Sequence, residues 1–178
     1  MRLTIRAFPV AAAALMLLMA GGCTVQPLLS TQQDVSGQQT LADLSAVSVD
    51  PVDTRQALEV RNHLLFLLHG SARPTAERYK LNFSVSSAVT SAATVQIANQ
   101  NEPTAGTVSL SATYRLSDAG TGKTLAQGTR QVMSAFDRSR QEFAVLRAVR
   151  DAEDRAAREL AELLRMAIAQ DMVRLNLR

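Results

Sequence analysis

The chain has 178 residues, 47% of them hydrophobic and 20% charged, with a formal net charge of +3 and a single cysteine. One cysteine rules out an intramolecular disulfide, and 19 basic against 16 acidic residues leave no broad positive surface of the kind that holds nucleic acid. The length suits one domain with a core large enough to stand alone.

The chain opens with Arg2 and Arg6, continues as an apolar run from Ala7 to Met19, and then places Ala20-Gly21-Gly22 before Cys23. A positive start, a short apolar run and small residues at the cut are the parts of a secretory signal. The cysteine directly behind them marks the processing site of a bacterial lipoprotein, although Ala20 stands three residues before it where such sites usually carry Leu. A transmembrane anchor would need about 20 apolar residues. This run is shorter and contains Pro9. Residues 1–22 therefore read as a signal peptide and Cys23 as the lipidated first residue of the mature protein. Each buried CH₂ of an acyl chain contributes about 0.8 kcal/mol, so several chains on Cys23 hold the protein stably at a membrane. Losing Arg2 and Arg6 takes the basic count from 19 to 17 against 16 acidic residues, a net charge of +1.

Thr24 to Thr40 (TVQPLLSTQQDVSGQQT) is rich in Gln, Ser and Thr, and such a composition cannot bury enough surface to order itself. With Cys23 it forms an expected flexible tether over 23–40, ahead of a folded domain over 41–178. The first expected strand is Leu44 to Val49, with Val47 and Val49 inward and Pro51 ending it. Asp53-Thr54 offers an N-cap for a helix over Arg55 to His69, and Gly70 a C-cap. From Tyr79 to Val89 the pattern has period two, Tyr79, Leu81, Phe83 and Val85 on one face, which predicts a half-buried strand. A second such strand covers Thr107 to Leu116, and Asp118 to Lys123 (DAGTGK) turns the chain into a third over Thr124 to Ala135.

The last element is an amphipathic helix over Arg140 to Met172, because Val145, Val149, Ala152, Ala156, Leu160, Leu163 and Ala167 recur every three or four residues. Its polar side offers i,i+4 pairs between Arg147 and Asp151, Arg150 and Asp154, Asp151 and Arg155, and Asp154 and Arg158. At 1.5 Å per residue it would be about 50 Å long, so its end is expected to project or fray. The expected fold is a single α+β domain of order β-α-β-β-β-α, an antiparallel-rich sheet backed by two helices.

Catalytic and metal motifs are absent in any convincing form. Gly120-Thr121-Gly122-Lys123-Thr124 ends like a phosphate-binding loop, but Ser117 stands where that loop needs its first Gly and no helix pattern follows. His63 and His69 are six residues apart and point to different sides of one helix, unlike a shared metal site. The carboxylates Asp151, Glu153, Asp154, Glu159 and Glu162 alternate with arginines and read as a solvated face. Arg130, Arg138 and Arg140, with Phe136 and Phe143, gather near the junction of the last strand and the long helix. Guanidinium groups match phosphates and sugar acids bidentately, which makes these three arginines candidates for a lipid headgroup; ordinary surface arginine is the alternative.

Cys23, the segments Val49-Asp50-Pro51, Val60-Arg61-Asn62-His63-Leu64, Arg78-Tyr79-Lys80-Leu81 and Tyr114-Arg115-Leu116-Ser117-Asp118, and the amphipathic C-terminal helix together resemble the LptE family, the lipopolysaccharide-assembly lipoproteins of Gram-negative outer membranes. The resemblance spans nearly all of the mature domain. It implies a non-enzymatic, cofactor-free lipoprotein anchored in the outer membrane and facing the periplasm. Such a protein plugs an LptD-like β-barrel, helps it assemble and binds lipopolysaccharide. In the family, basic residues in loops between strands are implicated in that binding. The corresponding turn here, Gln96 to Thr104, has none, so Arg130, Arg138 and Arg140 remain the lipopolysaccharide candidates. An auxiliary lipoprotein of a lipid-transport ABC system and a periplasmic enzyme are the competing readings.

Overall fold

The computed structural model describes residues 44–70, 76–97 and 100–175, and of 91–104 the backbone alone. The expected signal peptide, Cys23 and the expected tether lie outside these residues. The elements in chain order are β1 (Val47–Val49), α1 (Arg55–His69), β2 (Tyr79–Ile97), β3 (Gln100–Asp118), β4 (Thr124–Asp137) and α2 (Glu142–Arg174). This is the expected single α+β domain of order β-α-β-β-β-α.

The four strands form one open, mixed sheet in the order β1-β2-β3-β4. β1 pairs parallel to the start of β2, Val47 opposite Tyr79 and Val49 opposite Leu81. β2, β3 and β4 form an antiparallel meander, with Phe83 opposite Tyr114 and Tyr114 opposite Gly128. Period two then sorts the side chains. Tyr79, Leu81 and Phe83 of β2, Val108 to Leu116 at every second position of β3, and Ala126, Val132 and Phe136 of β4 are buried on one face. Both helices lie on that face. α1 contributes Ala57, Val60, Leu64 and Leu68 to the core, and α2 contributes a stripe that includes Leu160, Leu164 and Ile168. Alanines at 152, 156, 157, 161, 167 and 169 are buried along α2, small enough to let it approach both α1 and the sheet.

Local chemistry sets the helix ends. The Thr54 hydroxyl accepts from the Ala57 N–H at 3.3 Å, and Gly70, at φ +62, donates its N–H to the Phe66 carbonyl at 2.7 Å. A side chain at Gly70 would occupy a backbone region that L residues avoid.

Several boundaries differ from the sequence expectation. Leu44 and Ser45 are helical, and only Val47–Val49 forms a strand. β2 and β3 each run 19 residues, well past the expected ends at Val89 and Thr107, so the stretch from Gln96 to Thr104 is largely paired strand, Gln96 opposite Asn101 and Thr94 opposite Pro103. Ser91 interrupts the odd-position row of Val89, Ala93, Val95 and Ile97, and Gln100 to Thr104 (QNEPT) offers no apolar alternation, so period two does not carry the sequence signal through to the hairpin. Pro103 lies past the end of β4 and next to a register irregularity, the edge setting in which strand prolines are tolerated.

The C-terminal end of α2 does not project. Ile168, Asp171 and Met172 are buried, because a 19-residue strand at about 3.3 Å per residue is longer than a helix of about 50 Å. Leu164 is fully buried, whereas Leu163, assigned to the stripe from the sequence, is half-buried. The helix end that stands clear is the N-terminal one.

Candidate functional site

The three candidate arginines occupy two separate places. Arg130 lies on β4 opposite Ala112, on the helix-covered side of the sheet. Its guanidinium donates to the Thr129 carbonyl at 2.8 Å and sits 5.9 Å from the centre of the Tyr114 ring. Arg138 follows the end of β4 and Arg140 precedes α2. Arg130 and Asp137 stand seven positions apart on the strand, about 23 Å at 3.3 Å per residue, so sequence proximity does not make one cluster. The two phenylalanines part as well. Phe136 is buried over Gly106, where an added Cβ would lie 2.3 Å from the ring, while Phe143 faces solvent.

Arg130 instead belongs to a polar group under the sheet that the sequence reading did not find. The Tyr114 hydroxyl donates to Asp171 Oδ2 at 2.7 Å, and Arg174 reaches Asp171 Oδ1 at 2.8 Å. Burial, then the hydrogen bond to Asp171, pushes the Tyr114 phenol up to about 12, with Arg130 and Arg174 opposing. The group pins the last turn of α2 to the middle strand. Gly128, across from Tyr114, makes room for the ring, since a Cβ there would meet it at 3.0 Å. A tyrosine at a core position of a strand and an aspartate near the end of a helix, 57 residues apart, carry no local signal of their pairing.

Glu153 corrects the reading of a uniformly solvated acidic face. It is 9% exposed and accepts from Arg55 at 2.8 Å, Gln56 at 3.0 Å and Ser87 at 3.4 Å. Arg55 also reaches Asp154 at 2.8 Å. One carboxylate thus ties the start of α1 to α2 and β2. Of the four expected i,i+4 pairs, Asp151 with Arg155 forms, and Asp154 is taken by Arg55. Arg155 additionally donates to the Ala135 carbonyl at 2.8 Å. Together with Arg130 at Thr129, it covers outward carbonyls on β4, the sheet's open edge.

The other expected motifs fall in structural roles. Gly120 to Lys123 is the turn between β3 and β4. There the Asp118 carboxylate is held below its usual range by the Thr121 hydroxyl, then by the N–H groups of Thr121 and Gly120. His69 Nε2 lies 2.9 Å from the Val47 carbonyl. Among the described residues no group of His, Cys, Asp and Glu is placed to hold a metal, and no helix is long and apolar enough to cross a membrane.

The sheet face turned away from the helices is uncovered. It presents Asn82, Ser84 and Ser86 from β2, Ser109, Ser111 and Thr113 from β3, and Gln127, Thr129 and Gln131 from β4. The hydroxyls of Thr113 and Thr129 meet at 3.3 Å, and Gln131 donates to Ser109 at 2.7 Å. A depression of about 500 Å³ opens on this face and includes Arg115. Hydroxyl and amide groups with few charges can exchange hydrogen bonds with a polar wall or with water at little electrostatic cost.

The fold, as distinct from these side chains, recurs in solved structures. A crystal structure from Caulobacter crescentus CB15, described as a lipoprotein, is 25% identical and covers 79% of this chain and 98% of its own, with a TM-score of 0.60. The chain shares its fold with bacterial lipoproteins. A minor lipoprotein from Acinetobacter baumannii is 11% identical over 70% of this chain and 90% of its own, at a TM-score of 0.52. The rare lipoprotein B from Shewanella oneidensis is 13% identical over 73% and 96%, at 0.54. No protein-family model matches the sequence, and no curated protein is significantly similar to it.

Proposed function

We propose that this chain is an outer-membrane lipoprotein, anchored through Cys23 and facing the periplasm, that partners and plugs an LptD-like β-barrel in the transport of lipopolysaccharide to the outer leaflet. The observation that carries the reading is the uncovered sheet face. Its rows of Ser, Thr, Asn and Gln match the polar interior of a large β-barrel, which is not an apolar surface. The LptE-like segments and the shared fold with lipoproteins support the same reading.

The test is an affinity pull-down of the full-length, C-terminally tagged chain from detergent-solubilised envelopes, followed by mass spectrometry. Recovery of a large outer-membrane barrel in near-equal amount is the expected result. Recovery of ABC-transporter subunits without a barrel would replace it with the auxiliary-lipoprotein reading. For lipopolysaccharide itself, Arg138 and Arg140 flank the β4–α2 junction, and Arg130 lies beside Tyr114. Substituting Arg130 and Arg138 by Ala should weaken lipopolysaccharide binding; unchanged binding removes both from the role.

A further inference from the structure

The first two turns of α2 carry a surface that neither the core nor the polar sheet face uses. Phe143 is 84% exposed and Leu146 is 53% exposed. Spacings of three and four put Phe143, Leu146, Arg147 and Arg150 on one side of the helix, opposite Val145 and Ala152, which enter the core. Arg147 and Arg150 are exposed, and neither forms a hydrogen bond or ion pair with a described residue. The nearby carboxylates Asp151 and Asp154 are engaged by Arg155 and Arg55, and Glu142 stands at the helix start. Scattered exposed apolar residues need no explanation. A phenylalanine and a leucine one turn apart, sharing a helix face with two long cationic side chains, have the composition of an interfacial helix, whose apolar groups enter the acyl boundary while the charges stay among the phosphates.

We propose that this end of the domain docks on the headgroup region of an anionic lipid leaflet, Phe143 and Leu146 entering the acyl boundary and Arg147 and Arg150 pairing with lipid phosphates. The chemistry selects this occupant over an apolar protein groove, because covering Phe143 with such a groove would also desolvate two unpaired guanidinium groups. It selects a leaflet over a single enclosed lipid because the Phe143 ring protrudes into solvent. The contact would be additional to an acyl anchor on Cys23. β4 ends at Asp137 opposite Ala105, so α2 starts at the end of the sheet remote from the β1 pairing at Tyr79–Leu81. The ten steps along β3 from Gly106 to Leu116 alone span about 33 Å. The twenty residues between Cys23 and Leu44 could extend at most about 66–72 Å, enough for this remote end to reach the leaflet that holds the anchor.

The experiment reconstitutes the full chain into phosphatidylcholine vesicles with or without phosphatidylglycerol. An environment-sensitive fluorophore is carried on Gln141→Cys, beside the patch, or on Ala119→Cys, in the β3–β4 turn at the opposite end, and acyl-brominated lipid is the quencher. The parent chain, whose sole cysteine is Cys23, sets the labelling background. Quenching at position 141 is expected with phosphatidylglycerol and weak without it, and position 119 should stay at background. The pairs Phe143→Ser with Leu146→Ser, and Arg147→Gln with Arg150→Gln, should each bring position 141 down to the level of position 119. All four side chains are outside the core, so unchanged circular-dichroism melts accompany that loss. Absence of quenching at 141 in anionic vesicles, quenching that survives both paired variants, or equal quenching without phosphatidylglycerol would each overturn the proposal. A patch needed for recovery of a protein partner but not quenched by lipid would overturn it in favour of a protein interface.

Discussion

Replacing Tyr114 by Phe removes a single oxygen and leaves the ring packed against Gly128 and under Arg130. The lost group is the donor to Asp171 Oδ2 at 2.7 Å, on a residue 9% exposed. Hydrogen bonds to charged groups contribute about 1.5–3 kcal/mol, and a buried acceptor left short of a donor sits toward the upper part of that range. Arg174, still 2.8 Å from the other oxygen, keeps the carboxylate compensated, so Tyr114→Phe should cost about 2 kcal/mol. Urea unfolding at neutral pH should show this as a lower midpoint with an unchanged slope. A double-mutant cycle with Asp171→Ala should return a coupling of about 1 kcal/mol or more. A loss below about 0.5 kcal/mol, within the range of an ordinary surface change, would refute the assignment of Tyr114 and Asp171 as the pair that holds the end of α2. The alkaline limb gives an independent check. An unfolded tyrosine ionises near 10, whereas Tyr114 in the fold keeps its proton to about 12. Between those values the unfolded state holds fewer protons, so the stabilisation is complete below about pH 10 and is lost as pH rises toward 12. Tyr114→Phe should remove that part of the slope.

Leu164→Ala should cost about 2–5 kcal/mol and Leu163→Ala clearly less, since only Leu164 is fully buried; equal losses in chemical denaturation would place the stripe of α2 wrongly. Glu153→Ala should destabilise by about 1–2 kcal/mol, less than a fully buried pair would lose, because Arg55 is partly exposed and retains Asp154. No measurable loss would mean that the Glu153 contacts do not couple α1 to α2. Gly106→Ala drives a Cβ into the Phe136 ring and should cost about 1–3 kcal/mol by overpacking, a loss that Phe136→Leu in the same chain should partly restore. Additive effects of those two substitutions would argue against the collision.

The residues that were read correctly from the sequence share one property: their signal is contained within a few positions. Thr54 and Gly70 bound α1 because a cap acts on the backbone within three or four residues. Tyr79 to Phe83 and Val108 to Leu116 alternate because one side of each strand meets the core, and Asp118 to Lys123 turns because Asp and Gly favour it. The distal halves of β2 and β3 escaped this reading since Ser91 breaks the apolar row Val89, Ala93, Val95 and Ile97, and Gln100 to Thr104 shows no alternation at all. Leu163 was preferred to Leu164 because an idealised three-and-four spacing says nothing about where a second helix will press.

The candidate site was legible in its parts and not in its arrangement. Sequence alone determined the order of the elements and which strand positions are apolar, both of them local patterns. Only the tertiary structure decided that Arg130 stacks on Tyr114 and lies about 23 Å along β4 from Asp137, beyond which Arg138 and Arg140 follow, that Glu153 and Asp171 are buried acceptors, and that Phe143 and Leu146 stand in solvent beside two arginines. The physical reason is that burial and pairing depend on groups 57 or 98 residues away in the chain. A carboxylate becomes a clamp or a solvated charge according to what folds against it, and nothing in its own neighbourhood of sequence records which.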